Sequence, residues 1–288
     1  MLKELNRVID YIEKNLTEDI TLKEISEYAG VPDYHLRKLF YYLSGFTVSE
    51  YIKNRKLSEA NKDLLNNERV TDIAFKYGYE SVDGFTRAFK YWSGFLPSKI
   101  AKTGVSKSFP TLSFYIKVKG GKSMDYKIIE MPTFKFAGVS KQVPMQFEGE
   151  NTAIVELAKS ITQDQREIMH KLQNIEPHEI VNVSYEHDHN FMEDKGNLTH
   201  LIGVLTTEKN VTDHLDFMEV PAYTWAVFPS EGHFPEKMQQ SYVEIYSEWL
   251  PASDYEIIEA PSFSFTNMND KKENYAYSEI WIPVRKKK

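Results

Sequence analysis

Apolar residues recur every three or four positions through the first hundred residues, which is the spacing of amphipathic helices. One such stripe near the amino terminus consists of Leu5, Val8, Ile9 and Ile12. Thr21 and Glu24 have the spacing of a capping box in front of a short helix, and Gly30 is placed to end it. A further helix is predicted up to Gly45, followed by a longer one over roughly 48–65.

This helical pattern occurs twice. Ile73-Ala74 stand 48 positions after Ile25-Ser26, and Gly78 stands 48 after Gly30. Phe89 stands 49 after Phe40, so the second turn carries one inserted residue. An offset kept across helix, turn and helix predicts a duplicated helix-turn-helix, and two copies are too few for a solenoid.

After the helical part, Gly104, Pro110 and Gly120-Gly121 are typical of a linker. We place a helical domain over 1–105, a linker over 106–123 and a second domain over 124–288, with 109–118 docking on a neighbour as a strand. Strands are predicted over 125–139, 179–186, 199–207, 215–228, 255–267 and 276–285, around helical segments near 150–174 and 235–249.

The second domain also repeats a motif. Glu130-Met131-Pro132 recurs 89 positions later as Glu219-Val220-Pro221, and aromatic residues follow both copies. The predicted fold is therefore multi-domain, with an all-α double helix-turn-helix domain followed by an α+β domain of two pseudo-symmetric strand-helix-strand-strand units. The natural place for a ligand is the cavity between those two units.

Charge divides the chain along the same line. Residues 1–107 hold 17 Lys and Arg against 15 Asp and Glu, a net charge of +2. Because the whole chain has a net charge of −7, the remaining residues carry a net charge of −9. The chain has no Cys, which excludes disulfides and thiolate metal sites. Neither a signal peptide nor an apolar run of about 18 residues is apparent, so we expect a cytoplasmic protein without membrane contact.

Exposed positions on the second helix of each helix-turn-helix are the candidates for reading bases, because that helix enters the major groove. The outward positions of the first copy are Tyr34, Arg37 and Lys38. Those of the second copy are Val82, Asp83, Thr86, Arg87 and Lys90. The helix between the copies spans about 26 Å, so two reading helices could enter successive major grooves of promoter DNA.

Residues 21–102 resemble the AraC/XylS family of transcription regulators. The resemblance is carried by the closing motif IAFKYGYESVDGFTRAFKYWSGFLPSKI and by the helix YIKNRKLSEANKDLL. It implies promoter binding, with RNA polymerase as a further partner. The alternative from residues alone is a helical bundle with a solvated charged face.

Residues 124–288 resemble a GyrI-like effector-binding domain through PAYTWAVF, SEWLPAS and the terminal EIWIPVRKK. Both resemblances together give the arrangement of the Rob-type regulators. The family implies a pocket with Glu279 and Trp281, and Tyr223 and Trp225 share a strand face that could form a second wall. A carboxylate among aromatic rings favours a lipophilic cation, whereas Ser264, where relatives carry a second Glu, favours a neutral ligand.

Other chemistry is less well supported. His187-Asp188-His189 with His178 upstream is the one suggestive metal cluster, and it has the composition of a hydrated loop, so we expect neither metal nor cofactor. Related isolated domains suggest two alternatives, a hydrolase using Glu279 as base with a Tyr orienting the nucleophile, and a module that inhibits another protein. The predicted function is a bacterial DNA-binding regulator that senses a small lipophilic molecule.

Overall fold

The computed structural model describes residues 2–31, 33–105, 107–115, 124–144, 146, 151–185, 197–209, 213–269 and 271–287. These residues form two compact units, the first holding the described residues up to 115 and the second those from 124 onward. Within the described residues, no helix is long and apolar enough to cross a membrane.

The described part of the first unit is helical, as predicted. Its helices are α1 (Leu2–Lys14), α2 (Leu22–Ala29), α3 (Asp33–Ser44), α4 (Val48–Leu65), α5 (Val70–Lys76), α6 (Val82–Ser93) and α7 (Pro97–Thr103). Helices α2 and α3 form one helix-turn-helix, and α5 and α6 form the other. Helix α4 joins them, and its carboxy-terminal half packs in the core of the second copy through Leu57, Ala60 and Leu64.

Local signals in the sequence explain where these helices begin and end. Thr21 and Glu24 form the predicted capping box at the start of α2. Gly30 follows α2 with a φ of 72°, and Gly94 follows α6 with a φ of 85°, a left-handed conformation that glycine adopts at little cost. The boundaries of both helix-turn-helices are therefore encoded locally.

The described part of the predicted linker does not form a strand. Residues 107–115 have no ladder hydrogen bonds and instead pack on α1, α3 and α4 as extended chain. The expectation that 109–118 docks on a neighbour as a strand is wrong for its described part; docking itself is observed. Residues 116–118 lie outside the described residues.

The second unit consists of one curved antiparallel sheet with helices. Its strands are β1 (Lys127–Met131), β2 (Phe134–Pro144), β3 (Val181–Tyr185), β4 (Asn197–Thr206), β5 (Asp216–Val220), β6 (Tyr223–His233), β7 (Tyr255–Ile257), β8 (Phe263–Met268) and β9 (Tyr275–Lys286). Its helices are α8 (Thr152–Ser160), α9 (Gln163–Leu172), α10 (Glu236–Glu244), a π-helical turn (Ile245–Trp249) and α11 (Leu250–Ala252). The strand order is β1-β6-β9-β8-β3-β4-β2-β5, with β7 paired to β9.

Three predicted strands are each split in the structure. The predicted strand 125–139 divides into β1 and β2 around Pro132, and 215–228 divides into β5 and β6 around Pro221. The predicted strand 255–267 divides into β7 and β8, with Pro261 between them. Proline lacks the N–H that a central strand donates, so the ladder breaks there. The predicted helix 150–174 is likewise two helices, because Thr162 caps a new one.

The pseudo-two-fold arrangement is confirmed. The first and last residues of β1 and β2 lie 89 positions before those of β5 and β6. When β1, β2, β3 and β4 are matched with β5, β6, β8 and β9, the strand order is the same from either edge of the sheet. The first strand of each half pairs with the second strand of the other half, β1 with β6 and β5 with β2. The two halves are therefore interlocked.

Candidate functional site

Helix α6 presents most of its predicted reading residues to solvent. Asp83, Arg87 and Lys90 are exposed, and Thr86 is half-buried. The Ser81 hydroxyl accepts a hydrogen bond from the Gly84 N–H at 3.1 Å and so fixes the start of the helix. Val82 differs from the prediction, because its side chain packs against the core of the second helix-turn-helix.

Helix α3 departs further from the prediction. The Arg37 side chain is only 12% exposed, because its Nε donates to Asp33 Oδ1 at 2.8 Å one turn earlier on the same helix. The expected outward orientation of Arg37 is therefore wrong. Lys38, the next residue, is half-buried and makes further contacts within the protein. The side chain of Tyr34 lies outside the described residues.

The same spacing has a different outcome in α6. Asp83 and Arg87 are also four residues apart, yet in the described structure no ion pair joins them. Arg87 is consequently an exposed cation in the middle of a capped helix. Of the two predicted arginines, Arg87 is exposed and Arg37 is not.

In the second unit, the four predicted ligand residues share one face of the sheet. On β6 this face carries Tyr223 and Trp225, and on β9 it carries Glu279 and Trp281. Helices cover the opposite face, where Ile202 and Val204 pack under α8 and α9. We call the helix-free side the concave face.

The concave face is lined by packed aromatic rings. Trp225 is fully buried and Trp281 is 3% exposed, and both contact the Phe263 ring at centroid distances of 5.1 Å. Phe134 on β2 also reaches Trp225 on β6 at 6.0 Å, although four strands separate β2 from β6 in the sheet. The sheet therefore curls until its two ends meet through side chains.

Glu279 lies where this aromatic lining becomes polar. Its carboxylate accepts hydrogen bonds from Tyr277 Oη at 2.8 Å and from Trp281 Nε1 at 3.0 Å. Burial, and then the hydrogen bond to Glu279, raise the pKa of Tyr277 to about 12. Two donors thus already hold the carboxylate, so it is not an unsatisfied charge among rings.

Two features of the concave face were missed from the sequence. Tyr277 precedes Glu279 by two positions, and this spacing alone could have placed it on the same face. Glu231 lies opposite Tyr277 in the β6–β9 register and adds a second carboxylate. The Trp225 indole N–H is buried and finds no hydrogen-bond acceptor among the described residues.

The geometry also changes the meaning of Ser264. Ser264 pairs with Ile280 in the β8–β9 register, whereas its neighbour Phe265 pairs with Glu279. Because strand side chains alternate, position 264 faces away from the concave face. A missing carboxylate at Ser264 therefore carries no argument against a cation beside Glu279.

No metal centre emerges from the described part of the chain. His187-Asp188-His189 lies outside the described residues, and His178 is exposed. Among the residues that can be inspected, no group of three His, Cys, Asp or Glu side chains could hold a metal ion.

The fold and these sites define a two-part transcription regulator, with a helix-turn-helix domain for DNA and a second domain for a small molecule. Residues 124–285 match the GyrI-like small molecule binding domain, and residues 25–103 match a helix-turn-helix domain. The chain belongs to the GyrI-like family, joined to an AraC-type DNA-binding domain in a Rob-like arrangement.

Relatives of the first unit are regulators. Over 103 residues the chain is 35% identical to the HTH-type transcriptional activator AarP of Providencia stuartii, covering 35% of this chain and 76% of that protein. It is 33% identical over 115 residues to the multiple antibiotic resistance protein MarA of Escherichia coli (strain K12), covering 38% of this chain and 91% of that protein.

The solved structure of SAV2435 bound to tetraphenylphosphonium matches with a TM-score of 0.42 and 17% identity, covering 56% of this chain and 94% of that one.

Proposed function

We propose that the two helix-turn-helices read a bipartite promoter site, one half-site each. The observation that carries this proposal is the exposed face of α6, where Arg87 lies beside Asp83 and Lys90 and has no ion-pair partner among the described residues. Arg87 would read guanine, and Lys90 would contact phosphate. In α3, Lys38 takes the place that corresponds to Arg87, and Arg37 holds the helix through Asp33.

The length of α4 supports simultaneous reading. Helix α4 has 18 residues, which corresponds to about 27 Å at 1.5 Å per residue. Successive major grooves on one side of the duplex are about 34 Å apart. A helix of this length between two reading helices suits adjacent grooves and is too short to skip a turn.

The test is selection of bound sequences from a random DNA library by the full chain, followed by footprinting. We expect two protected boxes about one helical turn apart, on one side of the duplex. A single short box with equal affinity for the isolated half-site would overturn the bipartite reading. A promoter-binding role places the protein with the chromosome in the bacterial cytoplasm.

For the concave face, we propose a small lipophilic cation as the ligand. The aromatic rings supply apolar and cation–π surface, while Glu279 and Glu231 supply negative charge at the same face. The buried Trp225 N–H gains an acceptor when a polar ligand atom or a water enters with the ligand. Displacement of packed rings costs free energy, which apolar contact with the ligand has to offset.

Calorimetry with tetraphenylphosphonium tests the charge argument. We expect Glu279→Gln to weaken binding by about ten-fold, since one ion interaction of roughly 1.4 kcal/mol is lost. The matched control is Glu156→Gln, on α8 at the opposite face, which should bind as wild type. Triphenylphosphine oxide serves as the neutral probe. Equal cation affinity in Glu279→Gln and wild type would favour a neutral ligand.

Hydrolysis is the second candidate, because Tyr277 and Glu279 are hydrogen-bonded at 2.8 Å. A carboxylate base beside a tyrosine can activate water against an electrophile. Turnover of a reactive epoxide that disappears in Glu279→Gln would establish this activity.

The activator AarP among the relatives favours RNA polymerase as a further partner, which transcription in vitro from the selected promoter would test.

A further inference from the structure

Residues 107–115, here called the strap, follow the last helix of the DNA-binding unit and carry a continuous series of specific contacts. The strap begins at the second helix-turn-helix. Lys107 Nζ donates to the Trp92 carbonyl oxygen at the end of α6 and lies 5.1 Å from the centroid of the Trp92 ring. One end of the strap is therefore attached to the second reading helix.

The middle of the strap is held by α4. The Phe109 N–H donates to Ser58 Oγ at 2.9 Å, and Arg55 Nη1 donates to the Phe109 carbonyl at 2.5 Å. The Phe109 ring packs edge-on against Phe46 at 5.2 Å. Both backbone groups of one strap residue are thus satisfied by side chains of the joining helix.

The far end of the strap is held by the first helix-turn-helix and α1. Asn6 donates to the Phe114 carbonyl at 2.8 Å and accepts from the Phe114 N–H at 2.9 Å, so one side-chain amide pairs with both backbone groups. The Phe114 ring packs against Phe40 of α3 at 5.6 Å. Between these anchors, the Leu112 N–H donates to Tyr51 Oη at 3.4 Å.

Helix α4 has a polar stripe that matches the strap. Tyr51, Arg55 and Ser58 are spaced four and three residues apart, so they share one helix face, and all three are buried. Glu13 of α1 joins the stripe by accepting from Tyr51 Oη at 2.7 Å and from Arg55 Nη2 at 2.7 Å. Buried polar groups cost free energy unless paired, so this stripe is built for a bound segment.

We propose that the strap is a brace that fixes the two helix-turn-helices at a set spacing. The proposal rests on the proposed function for the importance of that spacing, and on the contacts above for the brace itself. As residue numbers rise along the strap, its partners on α4 fall from Ser58 to Tyr51, so the strap runs antiparallel to α4. It ties α6 at one end to α1 and α3 at the other.

The position of the strap in the chain gives it a second consequence. After residue 115 the chain continues through 116–123 into the ligand-binding unit. The strap is thus the covalent route between the two units, and its Phe114 anchor is the attachment next to that route.

The absence of Cys allows a direct test on the full chain, because two introduced cysteines are the sole labelling sites. We choose Lys23→Cys on α2, whose side chain is 75% exposed, and Tyr91→Cys on α6, where the residue is 92% exposed. Spin-label distance measurements then report the separation of the two helix-turn-helices. The wild-type strap should give one narrow distribution.

Two strap variants and one control complete the design. Asn6→Ala with Phe114→Ala removes the far anchor, and Lys107→Ala removes the near one from an exposed position that the core does not need. Both should broaden the distribution, whereas Tyr115→Ala, an aromatic strap residue that is 77% exposed, should not. If the double variant fails to fold, Lys107→Ala decides. Wild-type distributions in every folded variant would overturn the brace.

DNA binding separates this inference from the proposed function. In the anchor variants, affinity for the selected two-box site should fall by about ten-fold while single-box affinity stays within about two-fold, because only simultaneous engagement depends on spacing. Wild-type protein that ignores the second box would refute bipartite reading and leave the distance result standing. Equal losses on both sites would refute the brace as the cause.

Discussion

At the scale of single residues, α3 and α6 carry different residue types at equivalent positions. With the 49-residue offset, Arg37 corresponds to Thr86 and Lys38 corresponds to Arg87. Arg37 and Thr86 are both partly buried, so this helix position turns toward the protein in both copies. The offset, and not the residue type, therefore determines which positions of the two helices correspond. Lys38 in α3 and Arg87 in α6 are the corresponding pair.

Arg87→Ala should weaken binding to the selected operator by about 1–3 kcal/mol, since a bidentate contact to guanine is lost. Arg37→Ala should cost less affinity, because the side chain is committed to Asp33. Arg166→Ala, an exposed arginine of α9, controls for net charge. Gel-shift titrations at constant salt measure all three, and unchanged affinity in Arg87→Ala would remove this residue from the reading set.

The two tryptophans of the concave face allow a matched comparison. Trp225 and Trp281 are both buried, yet only the Trp281 N–H has a described acceptor, the Glu279 carboxylate. Trp281→Phe should therefore lower the free energy of unfolding by about 1.5–3 kcal/mol more than Trp225→Phe, the usual contribution of a hydrogen bond to a charged group. Urea unfolding measures the difference. Equal losses would show that ring volume alone matters.

At the scale of elements, the sequence predicts what is encoded locally. Helix α4 begins and ends where its periodicity predicts, at Val48 and Leu65, because caps and apolar spacing act within one turn. The exchange of β1 and β5 between the two halves was not predictable, because a strand motif does not specify its partner. The contacts of 107–115 were missed for a similar reason, since buried polar stripes on a helix resemble solvated ones in sequence.

A close approach of two strands sets one element-scale prediction. Gly138 of β2 lies directly opposite Gly203 of β4, and a Cβ on Gly203 would overlap the Ala137 carbonyl oxygen of the backbone. Gly203→Ala should destabilise the second unit by about 1–3 kcal/mol, as overpacking does. In Gly232→Ala the new Cβ would meet Lys237 Cγ at 2.7 Å and Lys237 Cβ at 2.9 Å but no backbone atom, so this variant should destabilise less than Gly203→Ala. Thermal unfolding of both variants decides.

The buried stripe under the strap makes stability depend on pH. Burial opposes ionisation of Glu13, yet hydrogen bonds from Arg55 and Tyr51 prevail and hold the pKa of Glu13 below its ordinary value. A lowered folded-state pKa stabilises the protein above the ordinary value of about 4.3, and this contribution disappears as the pH falls through the lowered value. Unfolding at a series of pH values below about 5 should show a smaller slope for Glu13→Gln than for wild type. Identical slopes would contradict the assignment.

At the scale of the whole molecule, the proposed DNA binding depends on the charge of each part of the chain and on the rigidity between the two helix-turn-helices. The DNA-binding part carries a net +2 and the remainder −9, so attraction to DNA is confined to one part of the chain. Local attraction orients a protein on the duplex, and the phosphate contact that we propose for Lys90 would set its register. The proposed recognition of two boxes by one chain would then depend on how rigidly α4 and the strap hold the two helix-turn-helices.

Insertions between the two boxes of the selected operator measure that stiffness. Five added base pairs put the second box on the opposite side of the duplex, and ten restore the side but add about 34 Å. Because α4 spans only about 27 Å, neither insertion should regain two-box affinity, and both should bind like a single box. If the two helix-turn-helices were flexibly joined, two-box affinity would recover when ten base pairs are inserted. Recovery in wild type would refute a rigid joint, and recovery only in strap variants would assign the rigidity to the strap.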